Sequence, residues 1–350
     1  MGPHWPHIDC ATRKCERRLG VSVSSAEPVS GSVEIAANLR ASTEVESRVN
    51  SCEKRRGGRD VFEGTYTALV TPFNAGEVDY PALAELIEAQ AAAGVDGVVP
   101  CGSTGESATL SHAEHERIIA FTVEQAAGRL KVIAGTGSNS TLESEKLTRF
   151  AKEHGADAAL LIAPYYNKPT QAGLYAHYAY LAEHVELPQI IYNIPGRSGV
   201  NIAVETTARL SELTNVVGIK EASGSLDQVT RTVEACGPDF TVLSGDDSLT
   251  LPIMAVGGQG VIAVIGNLMP VQLRELVQAM RAGDLATARQ RHYQLLPVMR
   301  AMGLETNPIP VKAAMVMMGA IREGLRLPLT TLDSSHHEGL REVLRRAGLV

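Results

Sequence analysis

A lysine closing an apolar run is the first residue of this sequence with the makings of a nucleophile. In Val216-Val217-Gly218-Ile219-Lys220-Glu221-Ala222 a strand-like run ends on an amine. An ammonium taken out of water gives up its proton more readily, and the free amine can attack a ketone to form a Schiff base. A lysine at that place can instead snorkel out of the strand end or pair with Glu221. Ile190-Ile191-Tyr192-Asn193-Ile194-Pro195 brings a phenol to another strand end, facing Lys220 across the same mouth. A phenol can donate and recover a proton, though a core tyrosine satisfied by backbone looks the same in sequence. Gly196-Arg197-Ser198-Gly199 sets a guanidinium in a glycine-flanked turn, suited to grip a carboxylate or simply to be solvated.

Three further loops carry polar chemistry with weaker signals. Cys101-Gly102-Ser103-Thr104-Gly105-Glu106-Ser107 offers two adjacent hydroxyls and exposed amides that can hold a carboxylate or relay protons. Pro164-Tyr165-Tyr166-Asn167 pairs two phenols, which equally fit rim packing. Gly257-Gly258-Gln259-Gly260 invites comparison with a phosphate loop, but it lacks a basic neighbour and reads as a turn. The ten histidines fall in helices, the N-terminal segment and the C-terminus, so no metal is expected. The five cysteines show no paired spacing, which fits a reducing compartment without structural disulfides.

These side chains meet only if the strand ends that carry them converge. From Thr65 a short β-branched run, a polar turn and a helix-period stretch recur eight times, the pattern of parallel βαβ units. Strand candidates run from Thr65–Val70 to Val261–Ile265, with Lys220 just beyond Val216–Ile219, and helix candidates run from Tyr80–Ala93 to Val271–Ala282. Ser111 and Glu114 have capping-box spacing, and Ser140 or Thr141 caps the next helix. Eight alternations suit a closed α/β barrel of the (β/α)8 TIM type, whose active sites lie at the C-terminal strand ends. A doubly wound sheet is the other option, but no G-x-G-x-x-G follows the first strand. The expected organisation is a segment 1–60, a catalytic barrel 61–284 and a C-terminal helical extension 285–350.

Composition narrows the function class. A net charge of -7 and 44% hydrophobic residues describe a chain with a large core and no basic face for nucleic acid or anionic membrane. No apolar run approaches the length of a membrane span. Residues 1–60 mix Pro, Ser, Arg and Glu without apolar periodicity and read as a disordered tail or a wrongly assigned start. They show no apolar h-region like that of a secretory signal, and acids such as Asp9 and Glu16 fit poorly with an organelle transit peptide.

Gly-Ser-Thr-Gly-Glu-Ser at 102–107, Pro-Tyr-Tyr-Asn at 164–167, Tyr-Asn-Ile-Pro-Gly-Arg-Ser-Gly at 192–199, Gly-Ile-Lys-Glu-Ala at 218–222 and Ser-Gly-Asp-Asp at 244–247 stand in a specific order. Together with Asn-Pro-Ile-Pro-Val-Lys at 307–312 they resemble the dihydrodipicolinate synthase family, over Val61–Val350. The resemblance implies a class I aldolase that condenses pyruvate with L-aspartate 4-semialdehyde to 4-hydroxy-tetrahydrodipicolinate, on the diaminopimelate route to L-lysine. Lys220 would carry the Schiff base, Tyr192 would move protons, Ser103 would be the relay hydroxyl, and Tyr166 would complete the relay from a neighbouring subunit. Thr104, with backbone at Gly245 and Ile262, would bind pyruvate, and Arg197 would hold the semialdehyde carboxylate. Many relatives carry Thr where this chain has Ser103, so the hydroxyl survives on a freer rotamer.

The same resemblance implies no cofactor, a cytoplasmic homotetramer built from dimers, and a site for inhibitory L-lysine. That site would use Ser107, Leu110, His112, His115, Asn139, Glu143 and Tyr165, although His112, His115 and Glu143 also suit ordinary helix first turns. N-acetylneuraminate lyase and the sugar-acid aldolases share the barrel, the lysine and the tyrosine; Arg197 argues against them. A non-catalytic lysine or pyruvate sensor would have no need of both Lys220 and Tyr192.

Overall fold

Eight short strands, each buried on both faces, close into a parallel barrel. The computed structural model describes residues 62–350. In chain order the elements begin with β1 (Gly64–Ala68), a small hairpin of β2 (Phe73–Asn74) and β3 (Glu77–Val78), and α1 (Tyr80–Ala93). Next come β4 (Gly97–Val99), α2 (His112–Ala126), β5 (Lys131–Gly135), α3 (Thr141–Glu153), β6 (Ala158–Ile162) and α4 (Gln171–His184). The second half has β7 (Gln189–Asn193), α5 (Pro195–Ser198), α6 (Val204–Leu210), β8 (Val216–Glu221), α7 (Leu226–Cys236), β9 (Thr241–Ser244), α8 (Thr250–Ala255), β10 (Gly260–Ala263) and α9 (Pro270–Arg281). Three helices follow, α10 (Leu285–Ala301), α11 (Ile309–Met317) and α12 (Ser334–Arg346). Strand order β1-β10-β9-β8-β7-β6-β5-β4 closes where β4 meets β1, so the expected (β/α)8 barrel is the observed fold. The expectation for residues 1–60 falls outside the described residues.

The helices start where local chemistry favours starting. Asp79 caps α1 by accepting from the Ala82 amide, and Gly94 ends it in the left-handed conformation. Ser111 and Glu114 form the reciprocal capping box expected for α2. Ser140 stands at the N-cap of α3 but makes no side-chain cap bond. The hairpin has no antecedent in the sequence reading. Its two-residue turn puts both Ala75 and Gly76 at positive φ, and an alanine in that role gives no turn signal.

Alternation along the strands separates two cores. Tyr66, Ile133, Leu160, Ile190 and Leu243 fill the barrel, whereas Ile191, Ile219 and Val242 face the surrounding helices. The pairing of β7 with β8 contains one irregularity. Gln189 pairs with Val216, but Ile190 pairs with Gly218, leaving Val217 as an extra residue. Without that bulge, Tyr192 would meet Ile219 and Lys220 would turn toward the helices, because a one-residue slip exchanges the faces of a strand. With it, Tyr192 pairs with Lys220 and both point inward, while Asn193 pairs with Glu221 on the outer face.

The C-terminal helices pack on α9 through one apolar cluster that includes Leu273, Leu276, Leu295, Val298, Ala314 and Leu340. A buried ion pair pins α11 to the loop after β4: the Lys312 ammonium donates to Glu106, to the carbonyl of Thr71 at 2.8 Å, and lies 4.3 Å from the Phe73 ring centroid. Their side chains are 2% and 0% exposed, so either charge left alone would be severely desolvated. Lys312→Met should therefore cost about 3–5 kcal/mol in denaturant unfolding, and adding Glu106→Gln should recover part of that loss. Equal stability of the single variant and the parent would contradict the pairing.

Candidate active site

At the C-terminal ends of the barrel strands lies a cavity of about 310 Å³ whose walls include Ser103, Thr104, Tyr192, Arg197, Lys220 and Gly245. Lys220 enters it from inside β8 rather than just after it, because the strand runs on to Glu221. The side chain passes so close to β9 that a Cβ on Gly245 would sit 3.0 Å from both Cγ and Cε of Lys220. Glycine at 245 is thus a steric requirement of the lysine. Glu221 does not pair with Lys220. It faces outward and accepts from Asn193 at 3.0 Å, from Gln228 at 3.2 Å and from the Ser223 amide at 2.7 Å.

Burial decides the chemistry of this amine. Lys220 is 6% exposed, and desolvation lowers its pKa from 10.5 to about 8, with Asp247 opposing and Arg197 reinforcing the change. At pH 7 roughly one amine in ten is then neutral, against about three in ten thousand for an ordinary lysine. Its Nζ lies 4.2 Å from the ring centroid of Tyr192. Burial raises the pKa of that phenol above its ordinary value, so Tyr192 stays protonated, and it shares a hydrogen bond with Ser103. An amine poised to lose its proton beside a neutral phenol, backed by a hydroxyl, can add to a carbonyl and manage the protons that follow.

The carboxylate-binding candidates are held by a residue to which the sequence reading gave no role. Asn307 donates through Nδ2 to the Thr104 hydroxyl at 2.9 Å, and its carbonyl accepts from Arg197 Nη2 at 2.8 Å. With its oxygen already accepting, the Thr104 hydroxyl is left to donate. Arg197 sits in the one-turn helix α5, closed by Gly199 at positive φ, rather than in an open turn. Ile262 is buried inside the barrel with Tyr192 and Leu243, and Val264, just past the end of β10, lines the cavity. Tyr166, at φ 70° and 88% exposed, lies outside the cavity of its own chain. Asp247 also lines the cavity, and neither its position nor its burial was legible from the Ser-Gly-Asp-Asp motif.

A second cavity of about 520 Å³ adjoins the first and shares the walls formed by Ser103, Tyr192, Arg197 and Asn307. Ser107, Leu110, His112, His115, Glu143 and Tyr165 all line it. Asn139 does not, though its carbonyl accepts from Asn167 at 2.9 Å beside it. His112 meets Glu143 at 3.1 Å, and Glu143 also accepts from Ser138. Burial lowers the pKa of His115, and its Nε2 is 2.7 Å from the Gly135 carbonyl. A carbonyl only accepts, so Nε2 carries the proton and His115 is a neutral strut of the wall.

The barrel, with a buried amine facing a phenol in its strand-end cavity, defines a site built for carbonyl chemistry. The dihydrodipicolinate synthetase family model matches residues 61–347. The 4-hydroxy-tetrahydrodipicolinate synthase of Nitratidesulfovibrio vulgaris (strain DP4) is 55% identical over 290 residues, covering 83% of this chain and 99% of that protein. Among solved structures, the chloride-inhibited dihydrodipicolinate synthase from Acinetobacter baumannii complexed with pyruvate is 43% identical, with a TM-score of 0.82 over 83% of this chain and 100% of that one. The enzyme from Cyanidioschyzon merolae with lysine bound is 39% identical, with a TM-score of 0.80 over 83% of this chain and 99% of that one. The chain belongs to the dihydrodipicolinate synthetase family and is a lyase of lysine biosynthesis. No group of side chains suited to a metal ion occurs among the described residues.

The lowered pKa gives a direct test. Only the neutral amine reacts with an electrophile, so Lys220 should become reactive as pH rises through about 8 rather than 10.5. Reductive methylation at graded pH, read by peptide mass spectrometry, should give that midpoint; a midpoint in the ordinary lysine range would contradict it.

Proposed function

We propose that the cavity around Lys220 condenses pyruvate with L-aspartate 4-semialdehyde to give 4-hydroxy-tetrahydrodipicolinate. The observation that carries this reading is the buried amine of Lys220, which loses its proton more readily than an ordinary lysine, facing Tyr192. The relative from Acinetobacter baumannii complexed with pyruvate supports it. The Nζ lone pair adds to the keto carbon of pyruvate, and water leaves to give the iminium. Loss of a methyl proton makes the enamine, whose carbon attacks the aldehyde while Tyr192 protonates the new alkoxide. The substrate's own amine then adds to the former keto carbon and expels Lys220. No step requires a cofactor.

Thr104 and the backbone at Gly245 and Ile262 hold the pyruvate carboxylate, and Arg197 holds that of the semialdehyde, which sets the two reactants within reach of each other. Ser103 passes protons to and from Tyr192. Tyr166, exposed on its own chain, completes the relay in the cavity of a neighbouring copy, so the working form is a homo-oligomer, a homotetramer built from dimers, in the cytoplasm. The second cavity binds L-lysine as a feedback inhibitor: its Glu143 suits the ligand ammonium, and the walls shared through Tyr192 and Arg197 supply a path to the catalytic groups. The relative with lysine bound supports this part.

Steady-state assays test the reading. The enzyme should turn over pyruvate only with the semialdehyde present and should leave N-acetylneuraminate intact; the reverse pattern would refute it. Arg197→Ala should raise KM for the semialdehyde roughly 10- to 100-fold with little change for pyruvate, as expected for loss of a charged hydrogen-bonding anchor. Tyr192→Phe should instead lower kcat roughly 10²- to 10⁴-fold. Saturating L-lysine should reduce turnover and raise Tm, because a ligand of the native state stabilises it.

A further inference from the structure

Asp247 places a carboxylate in the cavity that the reaction scheme does not use. Its residue is 9% exposed, and it lines the same cavity as Lys220 and Gly245. Two consecutive amides at the end of β10 fix it: Val264 donates to its Oδ1 and Oδ2 at 3.0 and 3.1 Å, and Ile265 donates to Oδ2 at 2.7 Å. A carboxylate clamped in this way cannot swing toward solvent. It is a negative charge with a defined address inside the barrel mouth.

The other charged groups around Lys220 do not serve the same end. Arg197 repels the ammonium, and Arg300 stands exposed on the cavity wall. Asp246 lines the wall too, but one of its oxygens is engaged by the Ser248 amide at 3.0 Å and hydroxyl at 2.8 Å. Glu221 faces away on the outer side of β8, and Tyr192 is kept neutral by burial.

We propose that Asp247 is a positioning residue whose fixed charge stabilises the cationic iminium on Lys220 and governs how readily the amine loses its proton; the inference rests on the Schiff-base reading above. No proton passes through Asp247. When Nζ adds to the keto carbon and the oxygen leaves as water, positive charge stays on the same nitrogen, so a countercharge set for the ammonium serves the iminium without rearrangement. Loss of a methyl proton then cancels that charge in the enamine. Asp247 thereby opposes the desolvation of Lys220: burial alone would make the amine neutral but leave its cationic intermediate unsupported. Burial in turn raises the pKa of Asp247 to about 6, while the Ile265 and Val264 amides and Lys220 oppose this, so the carboxylate is ionised at neutral pH.

The rate of borohydride-trapped pyruvate adduct, measured by intact mass as a function of pH, tests the assignment in parent and Asp247→Asn protein. Removing the charge should move the acid limb of the profile toward lower pH by about one unit, because the ammonium loses its partner. The plateau should fall roughly tenfold, because the iminium loses it as well. An acid limb in the parent position overturns the proposal, including the case where rate and Tm fall together and Asp247 proves only structural. Should Asp247→Asn fail to fold, Asp247→Ser, which also removes the charge, faces the same criteria. A parent protein that forms no adduct overturns the Schiff-base reading itself, an outcome distinct from an unmoved pH profile.

Discussion

An amine gives up its proton readily near physiological pH only where water is excluded, and this barrel excludes it by turning Lys220 inward at the end of a fully buried strand. That orientation hangs on the register between β7 and β8. The extra residue at Val217 shifts the pairing by one, so Lys220 meets Tyr192 inside the barrel while Glu221 meets Asn193 outside it. The outer pair, hydrogen-bonded at 3.0 Å, holds the register that the inner pair needs. The missing side chain at Gly245 then opens the lane through which the lysine reaches the cavity.

Once the amine is buried, the remaining polar groups read as ways of living with it. Asp247 supplies a clamped negative charge, and Tyr192 and Ser103 a protonated phenol with a hydroxyl behind it. Asn307 orients Thr104 and Arg197 from beyond the barrel, at the N-terminal side of α11. The C-terminal helices therefore contribute to the site directly, and the buried Glu106–Lys312 pair fixes α11 against the loop that carries Ser103 and Thr104. Arg326 strengthens the same junction by donating to both oxygens of Glu114, whose pKa is held down to about 2.

Much of this was legible because period and strand-end chemistry are local properties. The eight apolar runs gave the barrel, and Lys220, Tyr192 and Arg197 were singled out by lying where such runs finish. The bulge at Val217 was not legible, since an extra residue leaves the apolar composition of a strand unchanged. Without it, Lys220 reads as lying just past its strand, whereas it belongs to it. Asn307 and the Glu106–Lys312 pair were invisible for another reason: their partners stand some two hundred residues apart, at separations of 203 and 206. Tyr166 shows the limit from the other side, because a residue proposed to act on a neighbouring copy has no signature within its own chain.

The central claim is that position in the barrel, not lysine chemistry in general, makes Lys220 the nucleophile. Lys312 is an internal control: it is buried too and its pKa is also lowered, but it is occupied by Glu106 and Thr71. Peptide mass spectrometry after pyruvate and borohydride tests the claim most directly. A single reduced pyruvyl group on Lys220, with Lys312 unmodified, is the expected result. An adduct on another lysine, or none on any, would contradict the account.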